Sequence, residues 1–334
     1  MTAPQRIIKT GVIGYGNSGR DAHTFNGIRK NPEFEVTAVC DLSDKNRERA
    51  AAELNCATYA DYREMLEKEK LDLVSIISRS DTHAEIACAA LEKGVHSVVT
   101  KPWALDLAEA DQILAAAKSG SATVFPWIPM RWSPDYLKIR ELLADHAIGD
   151  VFKIRRHITN FFRRHDWQTE LKFGGGYLLN WGTHIVQPVV DLAESPVQSV
   201  YGKLQQVINP GDGDDNFLAV LQFKNGIHGI AEFSQAVEGL PWFMLQGTKG
   251  MIHSNAEQIT LIQVDPDKPG HQQRSVFSVP DKVFGDEAKI YADVATALLE
   301  GKPFPASAED AHYGTRVLDA IRESHNSGQP VSLG

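Results

Sequence analysis

Short apolar runs alternate with polar-rich segments over the first third of the chain. The apolar runs are residues 7–14, 34–40, 71–77, 95–99 and 122–125. Continuous apolar runs of this length are typical of parallel strands covered on both faces. The segments between them that have helical composition are residues 43–54, 82–93 and 107–118, and Asp106 with Glu109 resembles a capping box. Repeated β-α-β units of this kind predict an α/β domain with a doubly wound parallel sheet in residues 1–125.

The pattern changes in the remaining residues, 126–334. In residues 151–161, Ile154 and Ile158 share one face while Arg155 and His157 share the other, which predicts a strand with one face against the core. Asn225-Gly226 between two apolar runs predicts a hairpin, because both turn positions tolerate positive φ. Further strands are expected at residues 258–264 and 274–279, and helices at residues 133–145, 287–299 and 308–324. We therefore expect an α+β domain on a largely antiparallel open sheet.

Composition narrows the class of protein. The 334 residues are 43% hydrophobic and 23% charged, values typical of folded proteins, and the length allows about two domains. The apolar runs are far shorter than the roughly 20 residues of a membrane span, and residues 1–9 lack the regions of a signal peptide. We expect no membrane partner and a cytoplasmic location. The net charge of −9, with no long basic run, argues against nucleic acid as a partner.

A glycine-rich loop after the first predicted strand is the first candidate site. Its residues are Gly14, Tyr15, Gly16, Asn17, Ser18 and Gly19. Glycines here allow a tight turn and let a pyrophosphate approach the backbone at a helix N-terminus. Asp41 ends the second strand, where a carboxylate can bind the ribose hydroxyls and repel a 2′-phosphate. The sequence predicts a Rossmann domain that binds NAD in preference to NADP; the alternative is a plain turn and a helix-capping acid.

Two further motifs are candidates for chemistry. Thr100-Lys101-Pro102 follows the strand at residues 95–99, at the sheet edge where open α/β folds bind ligands, so Lys101 is expected near the nicotinamide. The alternative is an ordinary solvated lysine. The second motif is residues 174–184, with the sequence Gly-Gly-Gly-Tyr-Leu-Leu-Asn-Trp-Gly-Thr-His. It predicts a helix that begins after three glycines and carries His184 two turns further on.

Taken together, these motifs resemble the glucose-fructose oxidoreductase/inositol dehydrogenase (Gfo/Idh/MocA) family over essentially the whole chain. The resemblance implies oxidation or reduction of a secondary alcohol of a sugar, polyol or related compound with NAD(P). It assigns Lys101 to the family's motif lysine and His184 to its catalytic histidine. The loop after the fourth strand, with Ser78 and His83, stands where the family often has Thr-Pro-Asn-x-x-His, and His83 is retained. Ser78, His83, Thr100 and Pro102 are accordingly expected at the cofactor.

Elementary chemistry agrees with those roles. Hydride transfer from an alcohol requires loss of the hydroxyl proton, and histidine is the side chain whose ordinary pKa lies nearest neutrality, so His184 is the candidate base. The Lys101 ammonium would stabilise the developing alkoxide. Asn180 and His184 are spaced i, i+4 and share one helix face. Pro188 cannot donate the hydrogen bond that the His184 carbonyl would accept, so we expect a kink there.

Three departures from the family pattern bear on the function. Thr100 stands where many members have Glu, Asn180 where many have Asp, and Gln187 where another acid often follows the histidine. Asparagine can form hydrogen bonds but cannot take up a proton. These departures leave Lys101 and His184 in place, but they weaken any assignment of the usual substrates.

Aromatic and charged residues near these motifs are candidates for substrate binding. Tryptophan with polar groups suits a sugar, which has flat apolar faces and many hydroxyls. The candidates are Trp127, Arg131, Arg163, Trp167 and Tyr177. The alternative is that the tryptophans are core residues and the charged loop is solvated. No set of His, Cys and acidic residues has metal-ligand spacing, so no metal is expected.

Three functions remain open from the sequence. The leading one is an NAD-dependent dehydrogenase of a sugar, polyol or sugar derivative. The second is an enzyme that cleaves a glycoside by transient oxidation and elimination with tightly held NAD, and the third is a non-catalytic NAD-binding regulator, which Asn180 favours. Family members commonly cover the open sheet with another subunit, so a homo-oligomer, a dimer or tetramer, is expected. An acidic or phosphorylated sugar stays among the candidate substrates, because positive charge is expected near the predicted cleft from Lys101, Arg131 and the Arg163-Arg164 pair.

Overall fold

The computed structural model describes residues 6–255, 257–268, 270–280, 282 and 284–334. Residues 1–5, which begin the segment used to predict a cytoplasmic location, lie outside the described residues. The contacts divide the chain into two units, Met1–Pro129 with Asp286–Tyr313, and Met130–Gly285 with Gly314–Gly334. A linear division at residue 125 therefore misplaces residues 286–313, which return to the first unit. Local sequence patterns carry no signal for such a return, because it depends on packing.

The described residues of the first unit contain a sheet of six strands, all parallel, in the order β3-β2-β1-β4-β5-β6. The strand order reverses between β1 and β4, where open α/β sheets bind ligands. This topology confirms the predicted doubly wound sheet. The pattern of the sequence did not predict β3, a three-residue edge strand. The strands are β1 (Ile8–Ile13), β2 (Phe34–Cys40), β3 (Ala57–Tyr59), β4 (Leu73–Ile76), β5 (His96–Val99) and β6 (Val124–Pro126).

Nine strands form the second sheet within the part of the chain that is described, in the order β14-β13-β12-β11-β7-β10-β9-β8-β15. Only β7 and β10 pair in parallel among these neighbours, which confirms a largely antiparallel sheet. The strands are β7 (Val151–Thr159), β8 (Val197–Gln205), β9 (Asn216–Phe223), β10 (His228–Ser234), β11 (Phe243–Gly247), β12 (Gly250–Ser254), β13 (Gln258–Val264), β14 (Gln272–Ser278) and β15 (Val331–Ser332).

The hairpin between β9 and β10 has a longer turn than the sequence predicts. Phe223 N–H donates to the Ile227 carbonyl, and Gly226 N–H donates to the Phe223 carbonyl, each at 3.0 Å. Gly226 has a φ of 86°, whereas Asn225 keeps a negative φ. The connection is therefore a three-residue loop with one left-handed glycine, not a two-residue turn with two positive φ angles. The expected pairing of the two strands is present.

Helices cover the strands, and none of those described is both long and apolar enough to cross a membrane. A helix with π-type hydrogen bonds, Ser18–Gly27, follows the glycine loop. The longer helices are α1 (Asp44–Leu54), α2 (Tyr62–Lys68), α3 (His83–Glu92), α4 (Leu107–Ser119), α5 (Pro134–Ala144), α6 (Tyr177–Ala193), α7 (Glu287–Glu300) and α8 (Ala308–Ser327). Short 3-10 helices are Ile28–Lys30, Ser80–Thr82, Pro129–Trp132, Trp167–Thr169 and Leu171–Phe173.

Two acidic side chains determine where helix α4 begins. The Asp106 carboxylate accepts a hydrogen bond from Glu109 N–H at 2.9 Å, and the Glu109 carboxylate accepts one from Leu105 N–H at 2.8 Å. The two acids satisfy donors that the first turn leaves unpaired. The predicted capping box is therefore present, with its second bond displaced by one residue.

Tyr291 of α7 anchors the returning segment in the first unit. Its ring is fully buried, and its hydroxyl lies 2.5 Å from Ser75 Oγ and 2.9 Å from His23 Nδ1. A Cβ at Gly27 would lie 2.5 Å from the Tyr291 ring, so this glycine leaves the room that the ring occupies. Burial lowers the pKa of His23 to about 3, so the histidine is neutral here. These contacts make Tyr291 part of the core of the first unit.

Removing the Tyr291 ring should destabilise the protein strongly. Tyr291→Ala is expected to lower the free energy of unfolding by about 3–5 kcal/mol, the usual cost of deleting a buried aromatic side chain. Tyr291→Phe should cost about 1–3 kcal/mol, because Ser75 and His23 lose their buried partner. Urea unfolding followed by circular dichroism measures both. Leu42→Ala, at a side chain that is 84% exposed, should change stability by less than about 0.5 kcal/mol. Equal stability of Tyr291→Ala and the wild type would contradict this account of the core.

Candidate active site

The three glycines of the loop after β1 have different structural roles. Gly14 has a φ of 95°, and a Cβ there would lie 2.5 Å from the Ile77 carbonyl oxygen. A Cβ at Gly19 would lie 1.9 Å from the Gly14 carbonyl oxygen. At Gly16, in contrast, a Cβ would meet no atom within 4 Å. Gly14 and Gly19 therefore permit the turn, whereas Gly16 leaves the backbone open to a ligand, which fits the predicted pyrophosphate site.

Asp41 is tied to the same loop. One of its carboxylate oxygens accepts a hydrogen bond from Tyr15 N–H at 2.7 Å, and the other accepts one from Ser43 N–H at 2.8 Å. A carboxylate can accept about four hydrogen bonds, so capacity for ribose hydroxyls remains. Arg47, the nearby cation, donates to the backbone carbonyls of Asp41 and Leu42 at 2.7 and 3.0 Å. This guanidinium is therefore engaged by the turn itself.

Tyr15 takes part in this loop through its backbone. Its side chain is fully buried, and its hydroxyl donates to Glu53 at 2.9 Å. Burial and the hydrogen bond to Glu53 raise the pKa of the Tyr15 phenol. The ring therefore does not face the open side of the loop. Local spacing could not show this, because it depends on how α1 packs against the loop.

His83 joins the two other motifs of the first unit. Its ring nitrogens lie 2.8 Å from the Pro102 carbonyl oxygen and 3.0 Å from the Ser78 carbonyl oxygen. The side chain is 1% exposed, and burial lowers its pKa, so the ring is neutral and donates to one carbonyl only. Ser78, His83 and Pro102 thus lie together at the carboxyl ends of β4 and β5.

The Lys-Pro motif is held close to β4. The Lys101–Pro102 peptide bond is cis. Thr100, which stands where many family members have Glu, donates through Oγ1 to the Ile76 carbonyl at 2.9 Å and is 7% exposed. The Thr100 hydroxyl is therefore directed into the sheet, and Lys101 is the residue of the motif with a long side chain at this edge.

In the second unit, helix α6 begins at a turn that only glycine allows. Gly174 and Gly176 have φ angles of 71° and 99°. A Cβ at Gly175 would lie 2.6 Å from the Glu170 carbonyl oxygen, and one at Gly176 would lie 2.5 Å from the Asp214 carboxylate. The three consecutive glycines are thus required by the path of the backbone. No local sequence pattern predicts that these glycines lie next to Asp214.

Asp214 supplies the N-terminal partners of this helix. Its backbone carbonyl accepts a hydrogen bond from Tyr177 N–H at 2.7 Å, and its carboxylate accepts one from Leu178 N–H at 2.8 Å. Burial raises the pKa of Asp214 to about 6. At neutral pH the carboxylate is still charged, and a negative charge at a helix N-terminus is favourable.

Asn180 and His184 lie on the same face of α6, one turn apart, as predicted. The Asn180 side-chain amide donates to Gln168 Oε1 at 2.5 Å, which brings the short helix Trp167–Thr169 next to this face. Trp167, which opens that short helix, is half-buried, and Arg163 is exposed on the preceding segment. His184 is 9% exposed. This arrangement places an amide and an imidazole where both can address one ligand.

Three aromatic side chains form a wall beside His184. The ring of Phe284 lies 5.7 Å from the His184 ring, 5.8 Å from Trp181 and 5.5 Å from Trp242, measured between centroids. Trp181 is also 5.7 Å from His184. We call Trp181, Trp242 and Phe284 the aromatic wall. Sequence reasoning missed it, because Trp242 and Phe284 come from segments far along the chain, and no motif surrounds them.

Three residues expected to bind substrate are engaged elsewhere. Trp127 is 8% exposed and packs on His23, with ring centroids 4.2 Å apart. Tyr177 is 3% exposed and packs edge-on against Phe233 at 4.8 Å. Arg131 forms two hydrogen bonds of 2.9 Å with the Asp191 carboxylate of α6. Trp127 and Tyr177 are therefore packed among other side chains of their own units, and Arg131 braces α6; their expected role in substrate binding stays a prediction.

Among the described residues, no group of three or more His, Cys, Asp or Glu side chains could hold a metal ion. The first unit presents an open glycine loop, a carboxylate and a lysine at one sheet edge. The second presents an imidazole, an amide and the aromatic wall on one helix face.

Comparison with known proteins matches both parts of the chain. Residues 8–126 match the model of the oxidoreductase family with an NAD-binding Rossmann fold, and residues 136–253 match the GFO/IDH/MocA C-terminal domain. The uncharacterized oxidoreductase C26H5.09c of Schizosaccharomyces pombe is 30% identical over 368 residues, with 98% of this chain and 99% of the relative covered.

Two further similarities extend over nearly the full length. Myo-inositol 2-dehydrogenase of Thermotoga maritima is 22% identical over 333 residues, with 98% of each chain covered. The crystal structure of an NAD-binding protein from Listeria innocua superposes with a TM-score of 0.87 at 25% identity, covering 98% of this chain and 97% of the other. With both domains matched, this chain belongs to the Gfo/Idh/MocA family and is an NAD-binding oxidoreductase.

Proposed function

We propose that this protein is an NAD-dependent dehydrogenase that acts on a secondary alcohol of a sugar, a polyol or a sugar derivative. The observation that carries the proposal is the face of α6, where His184 and Asn180 lie one turn apart and the aromatic wall lies beside His184. Aromatic rings suit the apolar C–H faces of sugars and cyclitols, and polar side chains suit their hydroxyls. One similar protein, from Thermotoga maritima, is a myo-inositol 2-dehydrogenase.

In the proposed reaction, His184 takes the proton of the substrate hydroxyl while the carbon loses a hydride. Bound NAD supplies the hydride acceptor. The Lys101 ammonium stabilises the negative charge that develops on the same oxygen. Asn180 orients a hydroxyl through its amide and takes no proton, because an amide has no titratable group in this range. The roles of Lys101 and His184 rest on the family resemblance together with the chemistry of their side chains.

The cofactor is proposed to be NAD in preference to NADP. The Asp41 carboxylate ends β2 and is held toward the glycine loop by Tyr15 and Ser43. A fixed negative charge at this place repels a 2′-phosphate. The Arg47 guanidinium is bonded to two backbone carbonyls of the turn after β2, which supports the same preference.

The outer face of the second sheet is proposed to be covered by a second copy of this chain. Tyr201, Val220 and Ile230 lie directly opposite one another on β8, β9 and β10. Tyr201 and Val220 are 40% and 39% exposed, and the neighbouring Leu218 is 37% exposed. An apolar row of this kind is typical of a sheet that meets another subunit.

Variants of the two proposed catalytic residues test the reaction. NADH formation at 340 nm, screened over sugars, inositols, glycosides and sugar acids, identifies the substrate. Lys101→Ala and His184→Ala should each lower kcat/KM by about 100-fold or more, because each removes a group that acts in the transition state. Lys118→Ala and His271→Ala, at exposed positions, are the matched controls. Full activity in both site variants would refute the assignment.

The same screen separates the other two functions that the sequence leaves open. Release of an aglycone without net NADH would indicate glycoside cleavage by transient oxidation. Binding of NAD without turnover of any compound, together with a stable protein partner, would indicate a regulator. Formation of NADH from a free sugar or polyol is the result expected here.

Asp41→Asn tests the cofactor preference while keeping the shape of the side chain. The ratio of kcat/KM for NAD to that for NADP should fall about tenfold or more, since one charge repulsion near a phosphate is removed. Glu48→Gln, on the exposed side of α1, should leave the ratio unchanged. A wild-type protein that prefers NADP would overturn the reading of Asp41.

Val220→Lys tests the proposed subunit contact. Light scattering coupled to size exclusion should show a dimer or tetramer for the wild type and a smaller species for Val220→Lys, because a lysine on each copy would place charge in an apolar contact. Val237→Lys, at an 85% exposed side chain, should keep the wild-type mass. A monomeric wild type would rule out this contact.

A further inference from the structure

Helix α6 has a gap in its backbone hydrogen bonds at His184. In a regular helix the carbonyl of residue 184 accepts a hydrogen bond from the N–H of residue 188. Residue 188 is Pro188, inside the helix, and proline has no N–H. A buried carbonyl that loses this regular donor is stabilised by a donor supplied from outside the helix.

Arg156 of β7 supplies such a donor. The Arg156 Nε donates to the His184 carbonyl oxygen at 3.4 Å, a long hydrogen bond. Ile154, Arg156 and Ile158 are buried on one face of β7, and α6 packs against this strand. A strand residue thus replaces the donor that the helix lacks at the residue proposed as the base.

The guanidinium has further contacts on its other sides. Arg156 is fully buried, and its guanidinium carbon lies 4.1 Å from the Phe243 ring centroid and 5.4 Å from that of Trp242. An Asp135 carboxylate oxygen, from α5, lies 4.0 Å from Arg156 Nη1, which is an ion pair without a hydrogen bond. Burial lowers the pKa of Arg156 to about 10, opposed by Asp135, so the side chain is charged at neutral pH. The two cation–π contacts and the ion pair therefore restrict the position of the guanidinium whose Nε reaches the His184 carbonyl.

We propose that Arg156 is a positioning residue for His184, acting by supplying the backbone hydrogen bond that Pro188 withholds. The proposal rests on the proposed function, in which His184 is the base. The imidazole of His184 is attached to the backbone segment that Arg156 holds, so a shift of this segment displaces the base from the substrate hydroxyl. Displacements of about 1 Å in such groups can cost about 100-fold in rate.

The alternative is that Arg156 is needed only for packing or for its charge near Asp135. Arg156→Lys separates the two roles. Lysine keeps the positive charge for Asp135 but lacks the planar Nε–H that reaches the His184 carbonyl. Pro188→Ala provides the complementary change, because an alanine at 188 supplies the missing N–H within the helix. The two variants and their combination form a double-mutant cycle.

The variants of the cycle are compared by steady-state kinetics with the substrate that the screen above identifies. Arg156→Lys should lower kcat about 10- to 100-fold with KM changed less than about twofold, since placement of the base is affected and binding is not. Addition of Pro188→Ala should restore most of kcat. Arg155→Met is the matched control: Arg155 is the adjacent residue of β7, its guanidinium pairs with Glu232, and kcat should stay within about twofold. Arg156→Met repeats the test without the charge.

Urea midpoints of the same variants give a readout that does not need activity. Because the hydrogen bond couples the two positions, the midpoint shift caused by Arg156→Lys should be smaller when Pro188→Ala is present. Additive midpoint shifts would show that the two positions are not coupled through this hydrogen bond, and they would refute the proposal. Coupled shifts with an unchanged kcat, or a loss of kcat that Pro188→Ala does not restore, would show that Arg156 is structural only. A wild type without turnover refutes the proposed function itself, and coupled midpoints would then leave the bond as a feature of folding.

Discussion

Two hydrogen bonds to Asp214, from the N–H groups of Tyr177 and Leu178, decide where helix α6 begins and therefore where its polar face lies. The glycines before the helix are needed for the same contact, since a side chain at Gly176 would collide with the Asp214 carboxylate. One residue earlier or later, the same sequence would rotate the helix by about 100° and turn His184 away from its present neighbours. The candidate active site of the second unit depends on this start.

The remainder of α6 is held by contacts along its length. Arg131 pairs with Asp191, and Gln187 donates to the same carboxylate at 2.8 Å. Gly182 and Gly229 leave room for Leu318 and Val189, which a Cβ at either glycine would approach within 2.7 Å. A helix interrupted by proline loses a backbone bond and gains freedom to bend. These side-chain contacts restrict that freedom, so the proline does not leave His184 loosely placed.

In the first unit, steric constraints determine the path of the glycine loop. Gly14 and Gly19 are required by the backbone atoms that face them, whereas Gly16 faces open space. The loop is then closed on one side by the Asp41 carboxylate. A dinucleotide site built in this way presents N–H groups and one carboxylate, and the open space at Gly16 lets the ligand approach the backbone. The buried Tyr15 ring lies under the loop and supports it from the protein side.

The sequence by itself determined whatever depends on near neighbours along the chain. Continuous apolar runs predicted the parallel sheet, Asp106 and Glu109 predicted a cap, and the i, i+4 spacing predicted that Asn180 and His184 share a face. The tertiary structure alone decided which distant groups meet these elements: Asp214 at the start of α6, Arg156 at the His184 carbonyl, and Tyr291 in the core of the first unit. The three-residue turn at Gly226 and the short strands β3, β11 and β12 belong with these, because strand register and burial set them. The physical reason is that local propensity acts within a turn or a strand, whereas the partner of a buried polar group is chosen by the packing of the whole unit.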